Sequence, residues 1–153
     1  MTNEELKNKL LGWHQDLQFS EEGAPYLNVE VPLSLLKPLA AKLKSDPDCA
    51  FDYLFCVTGM DFGSELGVVY HLESTTFRHN LVMKVRTADR ENPEIDSLNE
   101  IWPAAYLNEM EVFDFFGIKF KGHPHLKRLF LTEDWVGYPL RKDYVDNVNM
   151  IIR

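Results

Sequence analysis

The sequence predicts an α+β domain, in which a mostly antiparallel, four-stranded sheet carries helices and an extended, loop-rich C-terminal segment follows. Apolar residues recur at helical spacing in some stretches and alternate with polar residues in others, which predicts both element types. A run dense in glycine, proline, aromatic and basic residues begins after the last helical stretch. We therefore predict one domain, with residues 1–117 as its α+β core and residues 118–153 as its extended segment.

The first helix is predicted by a capping box. Thr2 is its N-cap and Glu5 stands three residues later, so that each side chain can bind the other's backbone amide. Leu6 and Leu10 follow at helical spacing, and the helix should run from about Asn3 to His14. Residues 26–31 alternate between apolar and polar side chains, which is typical of a half-buried strand.

The middle of the chain predicts one helix and three strands. Pro32 suits the first position of a helix that runs to about Lys44, and Pro38 should distort that helix or delay its start. Aromatic and β-branched residues over 51–60 predict a buried strand. Residues 67–74 and 78–87 then alternate as an antiparallel pair with one wet face.

Two helices are predicted before the C-terminal segment. Residues 95–102 have a short apolar pattern at helical spacing, which Pro103 ends. A longer helix should run from Ala104 to Phe116, and Gly117 stands in the usual position after a helix C-terminus.

Charge is distributed unevenly along the chain. The net charge is −8, with 9 bases against 20 acids in residues 1–116 but 6 against 3 in residues 117–144. An acidic body argues against nucleic-acid binding, because the phosphate backbone attracts clustered bases. Since no apolar run is long enough to span a bilayer and the N-terminus lacks an apolar core, we expect a cytoplasmic chain that meets a membrane only through a partner.

The cysteine and histidine patterns do not predict a metal centre. Cys49 and Cys56 fit no zinc or redox spacing, and we expect two buried or partly buried thiols. An iron–sulfur cluster held by thiolates alone needs about four cysteines. His123 and His125 flank Pro124, and we expect a rigid turn in which His123 binds a backbone group or a carboxylate rather than a metal ion.

The last predicted helix is rich in carboxylates. Glu109, Glu111 and Asp114 could supply an acid–base pair, or they could form ion pairs with bases of the C-terminal segment. The second hypothesis is favoured, with Arg128, Arg141 or Lys142 as the partners of these acids or as contacts to another protein. No phosphate-binding glycine motif or nucleophile elbow occurs, so we predict no catalytic, cofactor-binding or metal-binding residue in this chain.

Residues 109–144 resemble a known family. The run Glu109-Met110-Glu111-Val112-Phe113-Asp114-Phe115-Phe116-Gly117-Ile118 is followed by Gly122-His123-Pro124, Arg128, Asp134-Trp135 and Gly137-Tyr138-Pro139-Leu140-Arg141-Lys142-Asp143-Tyr144. This order is similar to that of the C subunit (NuoC type) of NADH–quinone oxidoreductase, respiratory complex I, and of the related J subunit of the chloroplast and cyanobacterial enzyme. Here Met110 replaces the arginine of the family pattern.

The resemblance implies a hydrophilic, non-catalytic subunit that braces the peripheral arm of a proton-translocating NADH–quinone oxidoreductase. Iron–sulfur clusters and quinone would belong to neighbouring subunits, with the large D subunit as the main partner and the iron–sulfur subunits B and I nearby. The complex would place this chain peripherally on the cytoplasmic side of the cell membrane. The residues expected to carry the family motif or the subunit interface are Glu109, Glu111, Asp114, Gly117, Gly122, His123, Pro124, Arg128, Trp135, Pro139, Arg141, Lys142, Asp143 and Tyr144.

Two alternatives remain open at the level of sequence. One is the equivalent subunit of a membrane-bound hydrogenase or of a ferredoxin-driven complex. The other, of a different class, is a small stand-alone enzyme that uses Glu111, Asp114 and His123. A cleft that brings these three side chains together would favour the enzyme, whereas a buried or scattered arrangement would favour the subunit.

Overall fold

A computed structural model of the chain describes residues 1–145. Within this range the helices are α1 (Asn3–Trp13), α2 (Leu36–Ser45) and α3 (Ala105–Phe116), with a single 3₁₀ turn at Leu33–Leu35. The strands are β1 (Gln18–Ser20), β2 (Leu27–Glu30), β3 (Tyr53–Asp61), β4 (Leu66–Ser74), β5 (His79–Thr87), β6 (Glu94–Asp96) and β7 (Lys119–Lys121). The predicted α+β class is confirmed.

The described residues form a main sheet of five strands in the order β1-β2-β5-β4-β3. Its pairs are antiparallel except β2 with β5, which run parallel. The prediction of four strands lacked β1, a three-residue edge strand. So short a segment carries too little alternation to be recognised in a sequence.

The starts of α1 and α2 follow from local chemistry. The capping box is confirmed, because Thr2 Oγ1 accepts a hydrogen bond from the Glu5 amide at 3.2 Å and the Thr2 amide donates to Glu5 Oε2 at 2.7 Å. The expected delay of the second helix is also confirmed, since α2 begins at Leu36 and Pro38 lies in its first turn. There a proline costs little, because the first amides of a helix have no partner within the helix.

The short helix predicted over residues 95–102 is wrong. Residues 94–96 form β6, which pairs in parallel with β7 through the register Ile95–Phe120. Ile95, Leu98 and Trp102 are buried at a spacing that imitates a helix, but a strand followed by turns places them there. The decisive partner, β7, lies more than twenty residues away along the chain, beyond the reach of a local pattern.

All three helices contribute to a single core cluster on one side of the main sheet. Leu6 and Leu10 come from α1, Leu39 and Leu43 from α2, and Val112 from α3. The inward strand residues of that cluster include Val29, Leu54, Val57, Val68, Tyr70, Leu72, Leu81, Met83 and Val85. No helix in residues 1–145 is long and apolar enough to cross a membrane.

The C-terminal segment, residues 118–145 in the structure, starts with β7 and continues as turns and irregular chain. It lies against α3, with the Leu140 amide donating to the Phe115 carbonyl at 3.1 Å. The remainder of the segment predicted at the C-terminus, residues 146–153, lies outside the described residues.

Candidate functional site: the junction of helix α3 and the C-terminal segment

Asp114 is the central acceptor of this junction. Its side chain is fully buried, and its Oδ2 accepts hydrogen bonds from the consecutive amides of Leu129, Phe130 and Leu131 at 3.2, 2.7 and 3.0 Å. Burial acts to raise the pKa of Asp114, but these three amides and the guanidinium of Arg128 outweigh it and hold that pKa below its ordinary value. One ionised carboxylate thereby fixes the direction of three residues of the segment.

Arg128 completes this arrangement. It forms an ion pair with Asp114 Oδ1 at 3.3 Å and donates to the Asp114 carbonyl at 2.7 Å. Its other terminal nitrogen donates to the carbonyls of Trp135 and Gly137, each at 3.0 Å. The expected pairing of an α3 carboxylate with Arg128 is therefore confirmed, and the planar fork of an arginine is what lets one side chain join three points.

Arg141 is not an ion-pair partner of the α3 carboxylates. Its Nε donates to the Phe116 carbonyl at 2.6 Å and its Nη1 to the Arg90 carbonyl at 3.0 Å. The guanidinium thus satisfies a carbonyl at the C-terminus of α3, where a cation is also favoured by the helix dipole. Both guanidiniums also lie over the Tyr138 ring, that of Arg128 at 4.8 Å and that of Arg141 at 5.0 Å from its centroid.

Gly117 is the point at which α3 ends and the segment packs back. Its φ of +74° is left-handed, and its amide donates to the Phe113 carbonyl at 2.8 Å, as predicted for a glycine after a helix. A Cβ at this position would lie 2.6 Å from the Tyr138 ring and 2.8 Å from Arg141. Glycine is required here by conformation and by space together.

Glu109 is buried and forms no ion pair with any base of residues 1–145, contrary to the expected pairing. Its two carboxylate oxygens accept from the Ser97 hydroxyl at 2.6 Å and from the Leu98 amide at 2.7 Å. Burial raises the pKa of Glu109 to about 7, although both hydrogen bonds oppose that shift. The carboxyl ties α3 to the turn that follows β6.

Asp61 forms a second anchor that the sequence analysis missed. Arg90 donates to both of its oxygens at 2.7 and 2.9 Å, and the amides of Gly63 and Lys142 donate at 2.8 and 2.9 Å. Arg90 is the main reason that the pKa of Asp61 lies far below its ordinary value. Asp143 also contacts Arg90, at 3.4 Å. No sequence motif marks Asp61, so this anchor is apparent only from the position of its side chain at the end of β3.

His123 binds a backbone group, as predicted. Its Nε2 and the Tyr106 carbonyl are 2.8 Å apart, and its Nδ1 accepts from the His125 amide at 3.1 Å across the exposed Pro124. Gly122, at φ +88°, precedes this turn. His123 also packs on the ring of Tyr106, with centroids 4.9 Å apart.

The structure does not bring the three residues of the enzyme hypothesis together. Asp114 is occupied by Arg128 and three amides, and His123 by Tyr106 and His125, whereas Glu111 is exposed and makes no ion pair within residues 1–145. Across the same described range, no group of three His, Cys, Asp or Glu side chains is placed to hold a metal ion. Cys49 is buried and Cys56 half-buried, and both thiols are free, as predicted.

The outward side of the segment carries exposed apolar side chains beside polar and charged ones, which include Glu133, Asp134, Lys142 and Asp143, whereas its inward side is held by polar contacts. Phe130 and Val136 are 65% and 86% exposed, and Leu140 and Val145 are exposed as well. Phe130 stacks on Phe115 of α3, with ring centroids 5.8 Å apart. Trp135 and Pro139 are half-buried. The Tyr144 amide donates to the Arg141 carbonyl at 3.2 Å. Exposed apolar patches of this kind mark interaction surfaces. We call the exposed side of residues 129–145 the docking strip.

Curated proteins include relatives that are similar to this chain in sequence. A protein named as the C/D subunit of NADH-quinone oxidoreductase, from Phocaeicola vulgatus, is 51% identical over 122 residues, which are 79% of this chain and 23% of that protein. The C subunit of the same enzyme from Roseiflexus castenholzii is 44% identical over 120 residues, which cover 76% of this chain and 68% of the relative. The chain thus spans about a quarter of the C/D relative's length.

Solved structures share the fold. A trypsin-resistant fragment of Nqo5 superposes with a TM-score of 0.69 at 26% identity, covering 79% of this chain and 98% of the fragment. A chain of the membrane-bound sulfane sulfur reductase, an archaeal respiratory membrane complex, gives a TM-score of 0.79 at 25% identity, covering 95% of this chain and 86% of that one.

The family described as the respiratory-chain NADH dehydrogenase 30 kDa subunit matches residues 29–148, which include β3, β4 and β5 of the main sheet, α3 and the docking strip. Family, relatives and fold all agree with the resemblance carried by residues 109–144. The chain belongs to the respiratory-chain NADH dehydrogenase 30 kDa subunit family.

Proposed function

We propose that this chain is a non-catalytic, hydrophilic subunit of a proton-translocating NADH–quinone oxidoreductase, in which it braces the peripheral arm during electron transfer to quinone. Family membership supports the proposal, and relatives that are 41% and 44% identical are named as the C subunit of that enzyme. The charged side chains of the motif also support it, because Asp114, Arg128 and Arg141 hold the C-terminal segment against α3.

The docking strip is the single observation that carries the proposed bracing role. On its inward side, the backbone of the strip is bound by Asp114, Arg128 and Asp61. On its outward side, Phe130, Val136 and Leu140 are exposed. A rigidly held apolar surface binds with a small loss of conformational entropy. We assign this strip to the large D subunit, since relatives whose name combines C and D indicate that the two subunits can belong to one chain.

The neighbouring subunits complete the proposal. Iron–sulfur clusters and quinone would be held by other chains, with the iron–sulfur subunits B and I near this one. This chain would lie peripherally on the cytoplasmic side of the membrane and would meet the bilayer only through the complex.

The test compares two exposed phenylalanines that are each stacked on one ring. Phe130 stacks on Phe115 at 5.8 Å in the docking strip, and Phe77 stacks on His79 at 5.9 Å in the turn between β4 and β5. Tagged chains with Phe130→Asp or Phe77→Asp are expressed in the native host, and gently solubilised complexes are captured. We expect Phe130→Asp to lower the recovery of the large subunit at least tenfold and Phe77→Asp to leave it unchanged.

Two results would refute the assignment of the strip. Equal recovery of the large subunit with both variants would show that the strip is not its binding surface. Capture of the wild-type chain alone from fully extracted membranes would refute the subunit function altogether. Mass spectrometry of the captured proteins identifies the large, iron–sulfur and ion-translocating subunits in the same experiment.

A second candidate is the equivalent subunit of another respiratory membrane complex. The likeness to a chain of the sulfane sulfur reductase complex, which extends over 95% of this chain, favours it. The same capture experiment decides between the two. A partner set that includes the NADH-oxidising subunits favours the first proposal, and a nickel-containing large subunit would indicate a hydrogenase.

A further inference from the structure

The second sheet of the chain is a small, separate unit at the start of the C-terminal segment. It consists of β6 and β7, three residues each, and shares no strand with the main sheet. Two backbone hydrogen bonds close its ends, from the Lys119 amide to the Pro93 carbonyl and from the Ser97 amide to the Lys121 carbonyl, both at 2.9 Å. Two strands alone are only marginally stable in water, so this pair depends on what holds it from outside.

Helix α3 holds the pair through the carboxyl group of Glu109. Oε2 of this side chain lies 2.6 Å from the Ser97 hydroxyl, and Oε1 accepts from the Leu98 amide at 2.7 Å. Ser97 is therefore bound on two sides, because its amide also donates to Lys121 of β7. One side chain thus connects α3, the turn after β6 and β7. We call Glu109, Ser97 and Leu98 the carboxyl junction.

The carboxyl junction encloses an acid that has no cation beside it. Glu109 is fully buried, and it forms no ion pair with any base of residues 1–145. A buried carboxylate that lacks a cation is costly, whereas a protonated carboxyl can remain in such a place. Burial accordingly raises the pKa of Glu109 to about 7, against the smaller opposing effect of its two hydrogen bonds.

The titratable groups on the neighbouring strands β4 and β6 supply no positive charge. Tyr70 of β4 is fully buried, and its hydroxyl has no hydrogen-bond partner within the described part of the chain. Burial, followed by Glu109 and Asp96, raises the pKa of Tyr70, so that its phenol is neutral. Asp96 of β6 is itself an acid. Neither strand therefore favours the ionised form of Glu109.

The charged groups on the other elements packed against α3 are paired elsewhere or exposed. Asp61 at the end of β3 is bound by Arg90, and Asp114 of α3 is bound by Arg128. The remaining titratable groups around the helix are exposed or, for the last of them, bound to the Tyr106 carbonyl: Lys119 and Lys121 of β7, Glu111 of α3 and His123. The proton state of Glu109 is therefore set by the carboxyl junction itself.

A proton fits into the junction without displacing either partner. In the protonated form, the O–H of Oε2 donates to Ser97 Oγ while Oε1 still accepts from the Leu98 amide. In the ionised form, the Ser97 hydroxyl donates instead, and the negative charge stays away from water. Ionisation thus keeps both hydrogen bonds but adds a desolvation cost, which opening of the turn after β6 relieves by admitting water.

We propose that the carboxyl junction is a proton-dependent hinge: the β6–β7 pair is closed on α3 while Glu109 carries a proton, and it opens more often once that proton has left. Because the two sheets share no strand, this local opening leaves the main sheet intact. The hinge lies where the C-terminal segment leaves the core. The inference concerns the chain itself and does not depend on which partner binds the docking strip.

The direction of the pH dependence follows from the proton affinities of the two states. The pKa of Glu109 is about 7 when the junction is closed and returns towards its ordinary value of 4.5 when water enters. Closure is therefore fully supported below pH 4.5. It weakens by about a factor of ten per pH unit as the pH rises towards 7, and it changes no further above that pH.

The first experiment measures amide hydrogen exchange in the full chain by NMR between pH 5 and pH 7. Protection is the exchange rate relative to an unstructured peptide at the same pH. The amides of Ser97 and Lys119 should lose protection by about tenfold per pH unit. The Val31 amide, which donates to the Lys84 carbonyl in the main sheet, should keep its protection. An equal loss at Val31, or no loss at Ser97 and Lys119, would overturn the proposal.

Two variants and a matched control identify the group that titrates. Glu109→Gln should make the protection of Lys119 independent of pH, and Glu111→Gln, on the exposed side of the same helix, should keep the wild-type pH dependence. Ser97→Ala removes a hydrogen bond that lowers the pKa of Glu109, so the midpoint of the transition should move to higher pH. A pH dependence that persists in Glu109→Gln, or a midpoint unmoved in Ser97→Ala, would overturn the hinge.

A direct titration needs no substitution. Carbon NMR of the Glu109 carboxyl in the wild-type chain should show a midpoint near pH 7. It should coincide with the end of the loss of protection at Ser97 and Lys119. A midpoint near the ordinary value of 4.5 would show that the carboxyl is ionised in the closed junction, and the proposal would fail.

Discussion

Arg128 joins the side chain and the backbone of one residue, because it contacts both the carboxylate of Asp114 at 3.3 Å and the carbonyl of Asp114 at 2.7 Å. The same guanidinium reaches forward to Trp135 and Gly137. Helix α3 and the docking strip are thereby held as one unit. Binding surfaces made of irregular chain need such support, since loops without it are mobile.

Removal of Arg128 should destabilise the fold strongly. Arg128→Ala leaves the fully buried Asp114 without its cation, and breaking a buried pair in this way typically costs about 3–5 kcal/mol. Arg128→Lys should recover only part of this loss, because an ammonium cannot serve all of these acceptors at once. Urea unfolding measures the effect, and Lys127→Ala, at an exposed neighbour, should change stability by less than about 0.5 kcal/mol. A loss below about 1 kcal/mol for Arg128→Ala would contradict the assigned role of this pair.

Asp61 should make the protein sensitive to acid. Its folded pKa lies below its unfolded value, so the stability that it provides is present above about pH 4 and is lost as the pH falls through the folded pKa. Asp61→Asn should therefore be less stable than wild type at pH 7, and the difference should shrink below pH 4. Unfolding curves at pH 7 and pH 3 measure it. A difference that is independent of pH would show that the ionised carboxylate is unimportant.

Glu109 should have the opposite pH dependence. Its folded pKa of about 7 lies above its ordinary value of 4.5, so its contribution is complete below pH 4.5 and is lost as the pH rises through 7. A difference of this size corresponds to about 3 kcal/mol. Glu109→Gln does not titrate, and its Oε1 can accept from the Leu98 amide while its Nε2 donates to the Ser97 hydroxyl oxygen, so it should match wild type at pH 4 and exceed it at pH 8.

The control for Glu109 is available on the same helix. Glu111 is exposed, and Glu111→Gln should change the free energy of unfolding by less than about 0.5 kcal/mol at pH 7. Parallel profiles for wild type and Glu109→Gln between pH 4 and pH 8 would refute the buried-carboxyl argument.

Gly117 and Gly122 separate conformational strain from steric overlap. Both have left-handed φ values, +74° and +88°, but a Cβ would collide with Tyr138 only at Gly117 and meets open space at Gly122. Gly122→Ala should cost about 1 kcal/mol from the left-handed conformation alone. Gly117→Ala should cost at least about 1 kcal/mol more, since Tyr138 and Arg141 must move. Equal losses in thermal or urea unfolding would show that the segment yields to the extra atom.

Patterns that depend on nearby residues were predictable from the sequence. The capping box at Thr2 and Glu5, the delayed start of α2 at Pro38 and the end of α3 at Gly117 involve groups within a few positions of one another. The alternation of β4 and β5 likewise predicted an antiparallel pair, which the observed register confirms. The motif of residues 109–144 predicted the family, because its order of residue types is long.

The pairing of buried groups was predictable only in part. Asp114 with Arg128 was foreseen from opposite charges in one motif, but Glu109 binds a hydroxyl and an amide, and Arg141 binds two carbonyls. A side chain's type shows what it can donate or accept, and the packing decides which atoms come within reach. Backbone acceptors are present at every residue and leave no mark in a sequence.

The sequence by itself determined the α+β class, the principal helices and strands, and membership of the respiratory 30 kDa subunit family. Tertiary structure alone decided that residues 94–96 pair with residues 119–121, that Asp61 anchors Arg90 and Lys142, and that Arg141 binds the carbonyls of Phe116 and Arg90. The physical reason is how far apart along the chain the interacting groups lie. Helix caps and alternation arise between close neighbours in the chain, whereas these three features depend on groups brought together from distant positions by burial of the common core.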